Sequence, residues 1–291
     1  MNPPAGPDSP AVSIEALPPL REVLSSAGIG ADKRFGQHFL FDLNICRKIV
    51  RLAGVQVGQM VIEVGPGPGG LTRALLEAGA HVVVIEKDPR FIPLLGELGA
   101  YAMGNLTVVK GDALEIDESA LTTQIRGHGD ALIVANLPYN VGTPLLVKWL
   151  TGPFRPASMT LMFQKEVALR IVAAPGTPDY GRLAVLCQTL CEARIVMELP
   201  ARAFTPPPKV TSAVVGIEPF VNRPVDAVID GLQKVTQAAF GQRRKMLRSS
   251  LRYLGGEALC LAAGVNPNDR AETVTVAGFL ALTKTWLAQR G

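Results

Sequence analysis

Residues 61–88 read VIEVGPGPGGLTRALLEAGAHVVVIEKD, and the reading of this stretch decides the fold. An apolar run breaks on glycines, passes into helical periodicity, and returns to a second apolar run that stops at an acid. Gly65, Gly67 and Gly70 satisfy G-x-G-x-x-G, and Glu86 follows Gly65 by 21 residues, which is the spacing of a dinucleotide fingerprint. One feature argues against a dinucleotide. Pyrophosphate is held by backbone N–H groups of such a turn, and Pro66 and Pro68 have none to give.

A ligand with adenine and ribose but no phosphate escapes that objection, and S-adenosylmethionine is such a ligand. Glycine lets the backbone approach its amino-acid end. Glu86 is placed to accept from the ribose hydroxyls, Glu63 to hold the loop or the ammonium group, and Asp112 to accept from the adenine amine. The competing reading is that Glu86 and Asp112 only cap helices.

Outward from this stretch the chain alternates. Helical patterns cover 44–53, 71–78, 91–98, 143–150, 166–173 and 182–192. Strand patterns cover 60–64, 81–85, 106–110, 131–135, 159–164, 195–198 and 213–217. Such alternation predicts an α/β fold built on a mostly parallel sheet. Residues 1–31 form an extension, with a short helix expected in 17–29 and disorder in the first ten residues. The main domain is expected over 32–219, and a helical domain over 220–291 after the linker PFVNRP.

Composition removes several function classes. Cys46, Cys187, Cys191 and Cys260 show no metal-ligand spacing, so buried thiols in a reducing compartment are expected and zinc is not. Neither a signal or transit peptide nor a membrane span is legible, so a cytoplasmic protein is expected. The formal net charge is +4, and all of it falls in 224–291, where nine Lys and Arg face five Asp and Glu. No acid interrupts residues 231–256. In AFGQRRKMLRSSLRYLG one helical face is expected to carry Phe240, Leu247, Leu251 and Leu254. Another would carry Arg244, Arg248 and Arg252, with Arg243 and Lys245 beside them, as an RNA phosphate surface. Lys33, Arg34, Arg47, Lys48 and Arg51 are expected to add a second positive edge.

The run LIVANLPYNVGTP (132–144) ends a strand on Asn136, Leu137, Pro138 and Tyr139. Adenine's amine is a poor nucleophile because its lone pair is delocalised into the ring. Two neutral acceptors, the Asn136 side-chain oxygen and the carbonyl of Leu137 or Pro138, would favour a pyramidal nitrogen. Pro138 would stiffen the turn and Tyr139 would stack on an extruded base. An ordinary Asn-Pro turn is the plainer alternative.

With these residues in view, the chain resembles the ribosomal RNA adenine dimethyltransferases, on the side of those acting on small-subunit (16S) RNA. The resemblance runs from about Asp32 to Thr285. It rests on KRFGQHFLFD (33–42), EVGPGPGGLT (63–72), GDAL (111–114), NLPYNVGTP (136–144), FQKEVALRI (163–171), YGRLAVLCQ (180–188), FTPPPKVTSAVV (204–215) and AFGQRRKMLRSSL (239–251). It implies a Rossmann-like class I methyltransferase domain with a seven-stranded mixed sheet, and a small all-α C-terminal domain. The implied activity is S-adenosylmethionine-dependent dimethylation of two adjacent adenines near the 3′ end of that RNA, on an assembling 30S subunit. A monomer is expected.

By that resemblance the cofactor contacts fall on His38, Leu40, Gly65, Glu86, Asp112 and Asn136, with Gly67 and Ala113 alongside. His38 departs from the commoner asparagine, and the expectation is either a pH-dependent cofactor affinity or a histidine merely packed under the cofactor. Phe204 is expected to close on the target base opposite Tyr139, or else to belong to a hinge loop. The rival readings are a resistance-type large-subunit RNA enzyme, a non-catalytic assembly factor, and an NAD-dependent dehydrogenase.

Overall fold

A computed structural model describes residues 17–32, 35–126, 131–242 and 244–290, and the expectation of disorder in the first ten residues lies outside them. By internal contacts the chain divides into two compact units, Met1–Lys165 with Ile195–Glu218, and Glu166–Arg194 with Pro219–Gly291.

The first unit opens with α1 (Leu20–Ser26), β1 (Phe39–Leu40) and α2 (Leu43–Leu52). Then come β2 (Met60–Val64), α3 (Gly70–Glu77), β3 (His81–Glu86), α4 (Ile92–Tyr101), β4 (Leu106–Lys110) and α5 (Glu118–Arg126). After β5 (Leu132–Asn136), α6 (Gly142–Thr151) and β6 (Ser158–Gln164), the chain runs into α7 (Lys165–Val172), α8 (Arg182–Leu190) and β7 (Cys191–Leu199). Two strands remain, β8 (Phe204–Thr205) and β9 (Ser212–Pro219).

Seven strands form one sheet in the order β4-β3-β2-β5-β6-β9-β7, with β4 to β6 parallel and β9 antiparallel to β6. Every residue of β2 is buried, as an apolar run covered on both faces should be. The order reverses between β2 and β5, and ligands of open α/β sheets lie at the carboxyl ends of strands at such a switch point. Residue 65 and residue 137 follow those two strand ends.

Two features were not expected. Glu118–Arg126 is helical, its start fixed by Asp117, whose carboxylate accepts from the N–H groups of Ser119 and Ala120. The two-residue strands β1 and β8 pair antiparallel, Leu40 opposite Phe204.

The second unit holds α7, α8, α9 (Asp226–Phe240), α10 (Leu247–Ser250), α11 (Gly256–Ala262) and α12 (Val276–Ala288). The expected boundary at 219–220 is therefore incomplete, because Glu166–Arg194 joins this unit too. Ala173, Tyr180, Ala184 and Val185 pack in one core with Leu232, Val235, Phe279 and Trp286. The Tyr180 hydroxyl donates to the Val274 carbonyl at 2.9 Å, and the Gly176 N–H to that of Glu272 at 2.7 Å.

The helix expected through 239–254 is also broken. α9 ends at Phe240, α10 is one turn, and Arg252–Leu254 is a 3₁₀ turn. The cause is a competing set of acceptors. Leu247 donates its N–H to Asp269 and Arg248 donates to Pro267, while Met246 bridges Arg270. These are the N–H groups a continuous helix would send four residues back. α8 likewise stops at Leu190, and Cys191 is already extended, its thiol donating to the Cys187 carbonyl at 3.1 Å. All four cysteines are free and buried. Among the described residues no helix is long and apolar enough to cross a membrane.

Candidate active site

The residues after β2, β3, β4 and β5 meet around a cleft of about 200 Å³ in the first unit. His38, Leu40, Gly65, Gly67, Glu86, Asp112, Ala113, Asn136, Pro138 and Tyr139 all line it.

The glycine loop is wired internally. Gly65 donates its N–H to Ile85, Gly69 to Pro66, and Gly67 to the Glu86 carboxylate at 3.0 Å. Pro66 and Pro68 add no donor. The loop thus has no N–H left between residues 65 and 69 to cradle a diphosphate. That fits a phosphate-free nucleoside ligand and disfavours NAD. Gly65 takes φ +68°, and a side chain there would meet Pro138 Cδ at 3.2 Å. A Cβ on Gly70 would lie 2.5 Å from the Leu40 carbonyl oxygen, so the GQHFL segment and the start of α3 need glycine to touch.

Glu86 is 5% exposed. Burial pushes its carboxyl up, and the N–H groups of Asp88 and Gly67 pull against that. Each oxygen holds one backbone donor, Asp88 N–H at 2.7 Å and Gly67 N–H at 3.0 Å, which leaves lone pairs for ribose hydroxyls. Glu63 is 1% exposed and accepts from the Thr72 hydroxyl at 2.7 Å. Burial pushes its carboxyl up to about 8, with the Thr72 bond opposing and the Glu86 charge adding. Burial thus favours the protonated form, and Glu63 lines the cleft beside the loop while its Thr72 bond ties β2 to α3.

Asp112 pairs with Lys87 at 2.6 Å and accepts the Leu114 N–H, and the Lys87 bond holds its carboxyl below the usual range. Lys148 of α6 fastens the segment that follows. Its ammonium donates to the carbonyls of Ala113 and Ile116 and to Glu118, which also accepts from the Trp149 indole. Sequence reasoning passed over Lys148 and Glu118. The signal present was a lone lysine within an otherwise apolar helix.

At the end of β5 the Asn136 amide donates to the His38 carbonyl at 3.3 Å. That fixes which way the amide points and leaves Oδ1 as an acceptor. The Pro138 carbonyl is already taken by the N–H groups of Val141 and Gly142, so of the two candidate carbonyls that of Leu137 is the one left open. The Tyr139 hydroxyl bonds Ser212 Oγ at 2.6 Å, and burial pushes its phenol up despite that bond. Its ring lies 5.3 Å from the His38 ring, tilted by 31°. His38 Nδ1 meets the Pro206 carbonyl at 2.7 Å, which makes that nitrogen the protonated one.

Phe204 is a core residue here and not part of the cleft wall. It is 3% exposed, packed in the first unit's core, and does not line the cleft. It pairs with Leu40, which is buried too. The aromatic neighbour of Tyr139 is His38 instead.

Of the basic residues, Arg244, Lys245, Arg248 and Arg252 of the second unit are exposed, and Arg243 lies outside the described residues. Lys33 and Arg34 lie outside them as well. Arg47 is engaged with Glu77 at 2.7 Å, so the expected second positive edge keeps Lys48 and Arg51 exposed.

The family model for ribosomal RNA adenine dimethylase matches residues 30–288. A protein of Phenylobacterium zucineum named ribosomal RNA small subunit methyltransferase A is 65% identical over 279 residues, 96% of each chain. One of the same name from Mesorhizobium japonicum is 56% identical, covering 94% of this chain and all of that protein. Among solved structures, a dimethyladenosine transferase from Plasmodium falciparum superposes with a TM-score of 0.69 at 25% identity, over 84% of this chain and 96% of that one. The 23S rRNA methyltransferase ErmE gives 0.63 at 26%, over 85% and 98%. Membership implies use of S-adenosylmethionine and a ribosomal RNA substrate. A Rossmann-like sheet, a phosphate-averse glycine loop, an oriented Asn136 and a family match over nearly the whole chain agree: this protein belongs to the ribosomal RNA adenine dimethylase family.

Proposed function

We propose that the chain methylates the exocyclic N6 amines of two adjacent adenines near the 3′ end of small-subunit (16S) ribosomal RNA. The product is N6,N6-dimethyladenosine, formed during 30S subunit assembly by a cytoplasmic monomer. The observation that carries this reading is the pair of neutral acceptors, Asn136 Oδ1 and the Leu137 carbonyl, at the end of β5 beside Tyr139. The relatives named for small-subunit RNA support the choice of substrate.

Bound in the cleft, S-adenosylmethionine supplies an electrophilic methyl group. Glu86 holds the ribose hydroxyls, and Asp112 and Ala113 frame the adenine end. Asn136 and Leu137 accept from the two N–H bonds of the target amine and draw its lone pair out of conjugation. Tyr139, tethered by Ser212, gives the extruded base a flat face. The methyl group would pass to the nitrogen as its bond to the sulfonium sulfur breaks and a neutral thioether departs, and the two carbonyl oxygens would favour the positive charge that the nitrogen takes on. The proton then passes to water, so no strong base is required. Arg244, Lys245, Arg248 and Arg252 hold RNA phosphates.

Methyl transfer to unmethylated small subunits, naked small-subunit RNA and large subunits tests this, with nucleosides identified by mass spectrometry. Dimethyladenosine on small subunits alone is the expected result. Product on large-subunit RNA would overturn the substrate assignment in favour of the resistance-type activity. Tight subunit binding without any product would leave an assembly factor.

A further inference from the structure

Tyr253 is 95% exposed, and it occupies the middle of the 3₁₀ turn Arg252–Leu254. Its ring contributes almost no burial to the fold, so folding does not account for an aromatic residue there.

The segment that presents it is rigid. Leu247 and Leu251 are 0% exposed and pin it to the second unit's core. The Leu254 and Gly256 N–H groups both return to the Leu251 carbonyl, at 2.8 and 3.0 Å. Gly255 and Gly256, at φ +119° and +54°, then turn the chain away. Leu247 and Arg248 are stitched to Asp269 and Pro267, and Met246 to Arg270. The same short piece carries Arg244, Lys245, Arg248 and Arg252 outward, and the bridge brings up exposed Arg270. Among the described residues none of these five cations is in an ion pair.

An exposed ring held on a fixed turn amid unpaired cations matches what single-stranded RNA offers, a flat base between phosphates. We propose that Tyr253 stacks on an unpaired base of the substrate RNA while the surrounding cations hold the flanking phosphates. The inference rests on the RNA substrate proposed above and adds a base-stacking contact to it. The turn that carries the ring is fixed by these backbone bonds, so stacking has to order only the side chain's two torsions.

The test measures binding of the full chain to unmethylated small subunits at two salt concentrations, for wild type, Tyr253→Ala, Tyr253→Phe and Arg252→Ala. Tyr253→Ala should weaken binding roughly ten-fold with an unchanged salt dependence, and Tyr253→Phe should restore it. Arg252→Ala should lower the salt slope by about one. Melting temperature should stay at the wild-type value in Tyr253→Ala. If wild type methylates small subunits while Tyr253→Ala binds them as wild type does, the stacking role is overturned and the proposed function stands. If wild type neither binds nor methylates small subunits, both fall together.

Discussion

The side-chain amide of Asn136 reaches back 3.3 Å to the backbone carbonyl of His38, a residue 98 positions earlier. One hydrogen bond therefore joins the GQHFL segment to the end of β5 and sets which way the Asn136 amide faces.

Asn136→Ala removes the acceptor and should lower single-turnover methyl transfer by about 10²–10³, the scale of losing one preorganised transition-state contact. Asn136→Asp should do no better. A carboxylate beside the His38 carbonyl loses the donor that oriented the amide and sets two acceptors against each other. Quenched-flow transfer to small subunits reads both.

Phe204→Leu should keep the fold and transfer methyl at close to the wild-type rate, because the ring is core. Phe204→Ala should cost about 3–5 kcal/mol of stability by leaving a cavity. A collapse of turnover in a stably folded Phe204→Leu enzyme, measured with denaturant melts on the same sample, would return Phe204 to the base pocket.

Lys148→Met should destabilise the first unit by ~3 kcal/mol, since Glu118, 2% exposed at its side chain, loses its counter-charge. Adding Glu118→Gln should restore part of the loss. Cofactor affinity by calorimetry should fall in the single variant, because the Ala113 and Ile116 carbonyls lose their anchor.

Glu63 makes stability depend on pH. Its carboxyl sits at about 8 in the folded chain against an ordinary 4.5, with burial the main cause. The folded state thus binds more protons than the unfolded one between those values. This contribution is full below pH 4.5 and is lost as pH rises toward 8. Glu63→Gln keeps an acceptor for Thr72 and should flatten the fall in melting temperature between pH 5 and 8. An unchanged slope would remove Glu63 as its source.

Much of this site was legible because parallel strands buried on both faces read as short apolar runs whose ends are sharp. β2 and β4 fall where the pattern places them, and Gly65, Glu86, Asp112 and Asn136 follow from strand ends. What escaped depends on long-range partners. The pairing of β1 with β8 joins residues about 165 apart, and Phe204 lies in the core beside it. The break after Phe240 needs acceptors from Pro267 and Asp269, which no local periodicity reveals. The unit assignment of Glu166–Arg194 escaped because β6 passes directly into α7 without a loop to mark the change.

The glycine loop, closed on its own hydrogen bonds, has a consequence for repeated turnover. Dimethylating two adenines consumes four cofactor molecules, and each spent one must leave before the next arrives. The N–H groups of Gly65, Gly67 and Gly69 donate to Ile85, Glu86 and Pro66, so the loop takes its shape from bonds within the protein. A fresh cofactor should therefore meet a loop already in shape, and exchange between rounds should need no refolding of this wall of the cleft.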